Sequence, residues 1–426
     1  MNQVFQAKVE KAVYGGDCLA RVEGKAVFVP LGLPGETVSA RVVEEKRNFA
    51  KAELVDVLAA SPDRVAPRCP YFGSCGGCSY QHATYAAQLA LKRAVLRETL
   101  ERAAVTIPAE IATLAGEPWG YRNRIRLAVT PDGRVGYRGR RSHEIVPVDE
   151  CPIAAPLLME IAAALQRFLA DGAGPVAVTE IELFTNPRFS EVLVTVYCEA
   201  KPAAPAEGWL ATMLASLPRV TGVRLQLADG GIHPHILAAA GAEDLRYDAA
   251  GVSYQVNHGA FFQVNRFLVD DFAGLVAGGR GGNLAWDLFA GVGLFARQLA
   301  SGFKQVLAVE SAEASFAGLK HNLEGTTGTA IGSTTLDFLR RNRAQREARP
   351  DLIVLDPPRA GLDTETVQLL AQIHAPSMVY VSCDPATLGR DLRALCLERY
   401  SVESVTFVDM FPQTFHLETL ACLRRR

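Results

Sequence analysis

The chain has 426 residues, of which 49% are hydrophobic and 21% are charged, and its formal net charge is −2. This length requires more than one hydrophobic core, and this composition excludes an intrinsically disordered chain. The near-neutral charge excludes a general polycation, so any binding of nucleic acid depends on local basic patches.

No uninterrupted apolar run approaches the roughly 20 residues that a membrane span requires, and the first residues lack the apolar segment of a signal peptide. We therefore expect a cytoplasmic monomer that has no membrane partner. In a reducing compartment, the nine cysteines favour metal binding or catalysis over disulfides.

Short, Val-rich runs broken by Gly and Pro fill residues 1–60 and predict a small β-barrel. The charges of this segment balance, with eight Lys and Arg against eight Asp and Glu. After a Pro-marked linker, Cys69, Cys75 and Cys78 lie within ten residues, with glycines between them. Three thiolates on one loop predict a metal site with a fourth ligand from elsewhere, and their spacing does not separate zinc from an iron–sulfur cluster.

Residues 61–250 mix helical and strand patterns. Apolar residues at helical spacing predict a helix over 84–105, which we expect Pro108 to end. Strand patterns follow from Tyr121 to Val148, with a hairpin turn at Asp132–Gly133.

Seven arginines and one acidic residue, Asp132, lie between residues 119 and 143. Alternation along a strand directs Ile125 and Leu127 to the core and the arginines to the other face. We expect Tyr121 and Tyr137 to stack on unpaired bases, while a solvated strand face is the alternative. The arginines expected to contact RNA phosphates are Arg122, Arg124, Arg126, Arg138, Arg140 and Arg141.

The last third of the chain contains short apolar strands, each followed by a loop and a helical pattern. This alternation predicts a parallel, doubly wound sheet. The last two strand patterns, SVESVTFVDMF and HLETLACL, have no helix between them and predict an antiparallel pair at one sheet edge.

A glycine-rich turn follows the first of these strands, in the segment DLFAGVG. Gly291 and Gly293 permit close approach of a ligand, and Glu310, which ends the next strand, is suited to bind both ribose hydroxyls of an adenosine. The pattern fits S-adenosylmethionine better than NAD. The alternative for Asp287 is a simple helix cap.

Cys383 follows a strand and precedes a helix that begins at Pro385. We expect the helix dipole to lower the pKa of its thiol. A thiol suits methylation of uracil, because carbon 5 becomes nucleophilic only after a thiolate adds to carbon 6. Elimination then needs a base for the carbon 5 proton, for which Glu418 is the best candidate. A structural cysteine and a solvated glutamate are the alternatives.

Together these segments resemble the bacterial RNA uracil-5 methyltransferases, most closely the class that modifies large-subunit ribosomal RNA and carries an N-terminal TRAM domain. The resemblance is carried by KAVYGGDCLARVEGKAVFV, CPYFGSCGGCSYQH, FFQVN, DLFAGVG, LDPPRAG, VSCDPATLGRD and MFPQTFHLE. It implies an OB-like TRAM barrel at residues 1–60 and a central α+β domain with an iron–sulfur cluster at 61–250. It also implies a Rossmann-like class I methyltransferase domain at 251–426, on which the helix at 84–105 could pack.

Through its matching motifs, the resemblance implies that Cys383 is the nucleophile and that Glu418 is the base. The positions it assigns to S-adenosylmethionine or the target base are Gln263, Phe289, Glu310, Asp337 and Asp356. The ligands it implies for a 4Fe–4S cluster are Cys69, Cys75, Cys78 and Cys151. The implied substrate is large-subunit ribosomal RNA with a flipped-out uridine.

Two positions depart from the family pattern. Leu294 follows the second glycine, where the family often has asparagine. Asp384 replaces the usual asparagine after the nucleophile, and its charge would oppose ionisation of the thiol unless the side chain points away or caps the helix.

Three other functions are considered. Transfer RNA is an alternative substrate for the same chemistry. The segment DPPR also resembles the (D/N)PP(Y/F) motif of adenine methylases, which need no thiol. A non-catalytic RNA-binding protein with a degenerate methyltransferase fold is the third.

Overall fold

The computed structural model describes residues 4–171, 174–228, 235–343 and 349–426. The N-terminal segment is a closed barrel of five strands in the order β1-β2-β3-β5-β4, as the Val-rich runs predict. Its strands are β1 (Val4–Ala12), β2 (Asp17–Val22), β3 (Lys25–Pro30), β4 (Thr37–Glu45) and β5 (Phe49–Ala59). Closure leaves this sheet without a free edge.

A long helix, α1 (Tyr85–Arg102), follows the cysteine-rich loop. Its N-cap is Thr84, whose side chain accepts a hydrogen bond from the N–H of Ala87. The helix ends well before Pro108, because Ala104 adopts a left-handed φ of 56°.

A sheet of seven strands, in the order β13-β12-β11-β10-β7-β8-β9, forms the centre of the molecule. Its strands are β7 (Arg124–Val129), β8 (Val135–Arg138), β9 (Ile145–Pro147), β10 (Val178–Thr185), β11 (Val192–Cys198), β12 (Val220–Leu227) and β13 (Ile236–Gly241). Two helices, α2 (Pro156–Asp171) and α3 (Glu207–Ser216), pack on one face. The turn at Asp132–Gly133 joins β7 to β8, as predicted.

A hairpin of β14 (Asp244–Ala249) and β15 (Val252–Asn257) leads into the C-terminal sheet of eight strands, ordered β18-β17-β16-β19-β20-β22-β21-β6. The strands are β6 (Ala112–Leu114), β16 (Gly282–Leu288), β17 (Phe303–Glu310), β18 (Gly328–Gly332), β19 (Leu352–Leu355), β20 (Ser377–Ser382), β21 (Tyr400–Val408) and β22 (Glu418–Arg425). The helices are α4 (Val269–Ala277), α5 (Leu294–Leu299), α6 (Glu313–Leu323), α7 (Thr335–Asn342), α8 (Thr364–Ile373) and α9 (Pro385–Leu397). Strands β16 to β20 are parallel, so their carboxyl ends meet at one edge, where doubly wound sheets bind ligands.

The two last strands form the predicted antiparallel pair, but the prediction that they lie at the sheet edge is wrong. β22 is inserted between β20 and β21, and β6 pairs in parallel with β21 and forms the edge. The side chains of α1 join the same hydrophobic core, where Val95, Leu96 and Leu100 cluster with residues of α9. Within the described ranges no helix has the length and apolar character needed to cross a membrane.

Candidate active site

A pocket lies beside the glycine-rich turn that follows β16. Phe289 has a φ of 67°, and Gly291 and Gly293 have φ values of 57° and 91°. A non-glycine residue in this region costs about 1–3 kcal/mol, and such strain is concentrated at ligand sites. A Cβ atom at Gly293 would lie 2.7 Å from Cδ1 of Leu319, so the packing of α6 also requires glycine there.

Glu310, at the end of β17, is held by backbone donors on both carboxylate oxygens. Its Oε2 accepts a hydrogen bond from the N–H of Gly291 at 2.9 Å. Its Oε1 accepts from Ser311 at 2.7 Å and from Ala312 at 2.6 Å. The carboxylate is therefore fixed at the pocket, and Oε2, which accepts one hydrogen bond, retains a lone pair for a ligand hydroxyl.

Three residues predicted to contact cofactor or base line one small cavity of about 30 Å³: Gln263, Phe289 and Asp356. Leu294 also lines this cavity and gives it an apolar wall. Asp337 lies in the first turn of α7, where it accepts a hydrogen bond from Thr334 at 2.9 Å. A role for Asp337 in cofactor binding stays a prediction.

Asp287 is fully buried in β16. Burial, with the charge of Asp356, raises its pKa well above the ordinary value. The N–H of Ala296 approaches the carboxylate, but neither oxygen completes a hydrogen bond within the described residues. The helix-cap alternative for Asp287 is wrong, because the N-cap of α5 is Gly293.

Cys383 and Glu418 lie at the same end of two adjacent antiparallel strands. Ser382, which ends β20, pairs with Thr419 of β22. Glu418 is 4% exposed, and its burial, together with the charge of Asp356, raises its pKa well above the ordinary value. Burial raises the pKa of Asp356 to about 7. The thiol thus has two carboxyl groups in its surroundings.

The prediction that the thiol pKa is lowered is wrong for the protein without ligands. Burial, followed by the charge of Glu418, raises the pKa of Cys383 to about 11. Arg359 opposes this shift through its charge and a hydrogen bond, while Asp356 adds to it. The sequence interpretation missed the role of Arg359, although this residue ends the motif DPPR that begins at Asp356.

Asp384 caps the helix that follows the nucleophile, one of the two orientations considered for this departure from the family pattern. Its Oδ1 accepts hydrogen bonds from the N–H groups of Ala386 at 2.9 Å and Thr387 at 3.0 Å. Its Oδ2 accepts a hydrogen bond from the hydroxyl of Tyr14, in the barrel, at 3.0 Å.

His416 is a poor alternative to Glu418 as the base. Burial and the charge of Arg359 lower its pKa to about 4. Its Nδ1 lies 3.5 Å from a guanidinium nitrogen of Arg359. The imidazole is therefore neutral near pH 7 and only weakly basic.

The loop that carries His416 and leads to Glu418 is hydrogen-bonded to the segment after the cysteine cluster. The backbone N–H groups of Ser79 and Tyr80 both donate to the carbonyl of Gln413, at 2.9 and 3.0 Å. The side chain of Gln88 donates to Oε1 of Gln413 and accepts from its N–H, both at 3.0 Å. These contacts join α1 and the cysteine-rich segment to the loop that leads to Glu418.

The four predicted cluster ligands surround one cavity of about 240 Å³: Cys69, Cys75, Cys78 and Cys151. Burial raises the pKa of the first three thiols, and the nearby Cys151 adds to each shift. In the part of the chain that the structure describes, no three His, Cys, Asp or Glu side chains converge closely enough to hold a single metal ion.

The arginines of β7 are paired with acids on the neighbouring strand. Arg124 lies 3.6 Å from Glu182, and its guanidinium stacks on Phe184. Arg126 donates to Glu180 at 2.6 Å and stacks on Tyr197. Ile125 and Leu127 face the core, as the strand pattern predicts.

The remaining predicted RNA-binding arginines are distributed more widely. Arg138 lies 3.4 Å from Glu180, whereas Arg140 and Arg141 form ion pairs with Asp17 of the barrel. Arg122 lines the four-cysteine cavity. Because most of these charges already have partners, phosphate contacts stay a prediction.

The prediction that Tyr121 stacks on bases is wrong. Tyr121 is fully buried, and its hydroxyl donates to the carbonyl of Pro412 at 3.0 Å. The same prediction for Tyr137, which is half-buried and lines the four-cysteine cavity, stays a prediction. Strand alternation alone did not show that the cysteine segment covers this face.

Comparisons with known proteins agree with this geometry. The family model described as tRNA (Uracil-5-)-methyltransferase matches residues 240–426, and the TRAM domain model matches residues 2–55. An RNA methyltransferase of Streptomyces avermitilis is 36% identical, covering 99% of this chain and 98% of the relative. The 23S rRNA (uracil(1939)-C(5))-methyltransferase RlmD of a Shewanella species is 32% identical, covering 95% of this chain and 92% of the relative.

The crystal structure of Pyrococcus abyssi tRNA (uracil-54, C5)-methyltransferase in complex with S-adenosyl-L-homocysteine is also similar. It is 25% identical, with a TM-score of 0.77, covering 99% of this chain and 100% of that one. The similarity therefore extends over the barrel, the central sheet and the C-terminal sheet. The chain belongs to the RNA (uracil-5-)-methyltransferase family.

Proposed function

We propose that this enzyme methylates carbon 5 of a uridine in 23S ribosomal RNA, using Cys383 as the nucleophile and Glu418 as the base. The observation that carries the proposal is the position of thiol and carboxyl at the same end of β20 and β22. A cysteine is needed only for chemistry at carbon 5, so this pair argues against amino-group methylation.

The thiol first loses its proton to solvent, assisted by Arg359, which lowers the pKa of Cys383. The thiolate adds to carbon 6 of the uracil, and the ring electrons move to form an enolate. Carbon 5 then attacks the methyl group of the sulfonium donor, the S–CH3 bond breaks, and its electron pair stays on the sulfur as a neutral thioether. Glu418, as a carboxylate, accepts the proton from carbon 5, and the released electrons restore the 5,6 double bond and expel the Cys383 thiolate.

The pocket beside β16 suits S-adenosylmethionine, which supplies an electrophilic methyl group when bound. Glu310 is oriented to accept a hydrogen bond from a ribose hydroxyl through Oε2. Asp287 offers buried oxygens without hydrogen-bond partners near this pocket, and such atoms call for a donor from a ligand or water. Asp356 lines the cofactor cavity and also affects Cys383, which supports a methyl donor placed next to the target base.

The four-cysteine cavity would hold a 4Fe–4S cluster, because the segment CPYFGSCGGCSYQH resembles the iron–sulfur segment of the family. Four thiolates suit either a tetrahedral zinc ion or such a cluster, and the resemblance favours the cluster. The four thiols line one cavity of about 240 Å³. The residues that would hold the cluster are Cys69, Cys75, Cys78 and Cys151. The proposed reaction moves no electrons, so we assign the cluster a structural role.

The choice of 23S ribosomal RNA rests on the relatives with that substrate, which cover nearly the whole chain. Transfer RNA is the second candidate, because the similar Pyrococcus abyssi structure is of a transfer RNA enzyme. Mapping 5-methyluridine in both RNAs from a deletion strain and its complemented strain decides between them. Loss from 23S ribosomal RNA alone is expected, and loss from transfer RNA alone would exclude the first choice.

The reaction itself is tested with RNA that carries 5-fluorouridine at the modified position. Fluorine on carbon 5 cannot leave as a proton, so the enzyme should remain covalently attached after methyl transfer. The wild-type protein is expected to form an adduct that survives denaturing electrophoresis, and Cys383→Ser is expected to form none. Equal amounts of adduct from both proteins would overturn the assignment of Cys383.

A further inference from the structure

A tyrosine side chain of the barrel contacts Asp384, the residue that follows the nucleophile. Tyr14 lies in the turn between β1 and β2, and its hydroxyl donates to Oδ2 of Asp384 at 3.0 Å. Its ring makes an edge contact with Phe415, with ring centroids 5.9 Å apart. Phe415 lies in the loop that leads to Glu418, so Tyr14 contacts segments beside both catalytic residues.

The turn that carries Tyr14 packs closely against Ser79 and against Phe415. Gly16 has a φ of 89°, and a Cβ atom there would lie 3.1 Å from Cβ of Ser79 and 3.3 Å from Cβ of Phe415. On the other side of the turn, Asp17 forms ion pairs with Arg140 and Arg141. The position of the Tyr14 hydroxyl is therefore fixed by contacts on several sides.

Tyr14 is the hydrogen-bond donor to one of the two carboxylate oxygens of Asp384. Oδ1 caps α9 through Ala386 and Thr387, and Oδ2 is the atom that Tyr14 contacts. Asp384 directly follows Cys383, and a carboxylate turned toward a thiol opposes its ionisation. In the observed orientation, the carboxylates that raise the pKa of Cys383 are those of Glu418 and Asp356.

We propose that Tyr14 is a positioning residue for the nucleophile, because its hydroxyl holds the Asp384 carboxylate on the N-terminus of α9 and away from Cys383. The barrel then contributes to the active site in addition to binding RNA. This inference rests on the proposed function of Cys383. Burial and the charge of Asp384 raise the pKa of Tyr14, so its phenol stays protonated and donates throughout the working pH range.

The groups that surround the thiol come from four parts of the fold. They include Glu418 of β22, Asp356 and Arg359 from the loop after β19, Asp384 at the start of α9, and Tyr14 of the barrel. A test therefore has to separate the effect of Asp384 from the effects of the other charges. A double-mutant cycle of Tyr14 and Asp384 makes this separation.

The experiment measures alkylation of Cys383 by iodoacetamide as a function of pH, read by mass spectrometry on the peptide that contains Cys383. Tyr14→Phe keeps the ring and removes the hydroxyl. It is expected to raise the apparent pKa of Cys383 by about half a unit to one unit, which slows alkylation near pH 8 about threefold to tenfold. Asp384→Asn keeps an oxygen that caps the helix and removes the charge, so adding Tyr14→Phe to it is expected to change nothing further.

Tyr400→Phe is the matched control. It removes a hydroxyl that donates to the carbonyl of Ala375 at 2.9 Å, and it should leave the alkylation profile unchanged. An unchanged profile in Tyr14→Phe, or the same shift with and without Asp384→Asn, would overturn the proposal. Alkylation needs neither RNA nor methyl donor, so these results are independent of the adduct experiment that tests the reaction.

Discussion

Cys383 and Glu418 leave neighbouring antiparallel strands at the same level, because Ser382 pairs with Thr419. This closeness makes the two groups oppose each other's ionisation, since the charge of Glu418 raises the pKa of Cys383. The proposed reaction uses them at different times. The thiolate is consumed when it bonds to carbon 6, and only afterwards must Glu418 be a carboxylate.

Glu418→Gln should stop the reaction after methyl transfer. The amide fills the same space but cannot accept the carbon 5 proton, so the cysteine cannot be eliminated. We expect turnover to fall by about 10²- to 10⁴-fold, with a covalent complex accumulating on ordinary uridine RNA, visible by denaturing electrophoresis. Glu403→Gln, on β21 and paired with Arg424 at the surface, is the matched control. Normal turnover in Glu418→Gln would mean that another group is the base.

Arg359→Gln should make Cys383 harder to ionise. The guanidinium lowers the thiol pKa, so its removal should move that pKa above the value of about 11 in the wild-type protein. At a given pH near 8, the thiolate fraction and the rate of adduct formation should then fall about tenfold, and both should recover as the pH rises. Alkylation of Cys383 and trapping with 5-fluorouridine RNA measure the two effects. Arg393→Gln, at an exposed position of α9, is the control.

Local sequence patterns were sufficient to predict the strands in which apolar and polar residues alternate and the elements that end at a glycine turn. The barrel strands, the hairpin at Asp132–Gly133 and the unit from β16 to α5 are of this kind. Strand β6 could not be predicted in this way. It has three residues, too few to show a period, and it is a strand only because Ala112 pairs with the distant Thr406.

The chemical state of the site was less predictable than its residues. The family motifs predicted that Cys383, Glu418 and Asp356 belong to one site, and the three residues do lie close together. The argument from the dipole of α9 predicted a lower pKa for the thiol, whereas this pKa is raised. Burial and the carboxylates of Glu418 and Asp356, which are distant from Cys383 in the chain, raise this pKa. The partners of Arg140 and Arg141 were missed for the same reason, since Asp17 lies more than a hundred residues away in the chain.

Lys92→Met should destabilise the protein strongly. Lys92 is 1% exposed in its side chain and donates to Asp409 at 2.7 Å and to the carbonyl of Phe411 at 2.8 Å. Removing it leaves a buried carboxylate without its counter-charge, which costs about 3–5 kcal/mol in the free energy of unfolding. Urea unfolding measures this loss.

Two further variants make the test specific. Lys92→Met combined with Asp409→Leu removes both charges and should recover most of the lost stability. Lys25→Met breaks an exposed ion pair with Glu45 and should cost no more than about 1 kcal/mol. An equally small cost for Lys92→Met would mean that this buried ion pair contributes no more to stability than the exposed pair does.

Loss of the proposed cluster should be visible without any assay of activity. Anaerobically purified wild-type protein should be brown, absorb near about 400 nm and contain about four irons per chain. Cys78→Ser should lose colour and iron, whereas Cys396→Ser, in α9, should keep both. A colourless wild-type protein that contains zinc would contradict the cluster.

Asp356→Asn should change how stability depends on pH. Burial raises the pKa of Asp356 from 3.8 to about 7. A carboxyl whose pKa is higher in the folded state contributes stability that is complete below the lower value and is lost as the pH rises through the upper one. Wild-type protein should therefore lose about 2–4 kcal/mol more than Asp356→Asn between about pH 4 and pH 8, measured by urea unfolding. Asp271→Asn, at an exposed position of α4, should follow the wild-type curve. If Asp356→Asn also follows the wild-type curve, then Asp356 is ionised in the folded protein throughout this range, and its burial does not raise its pKa.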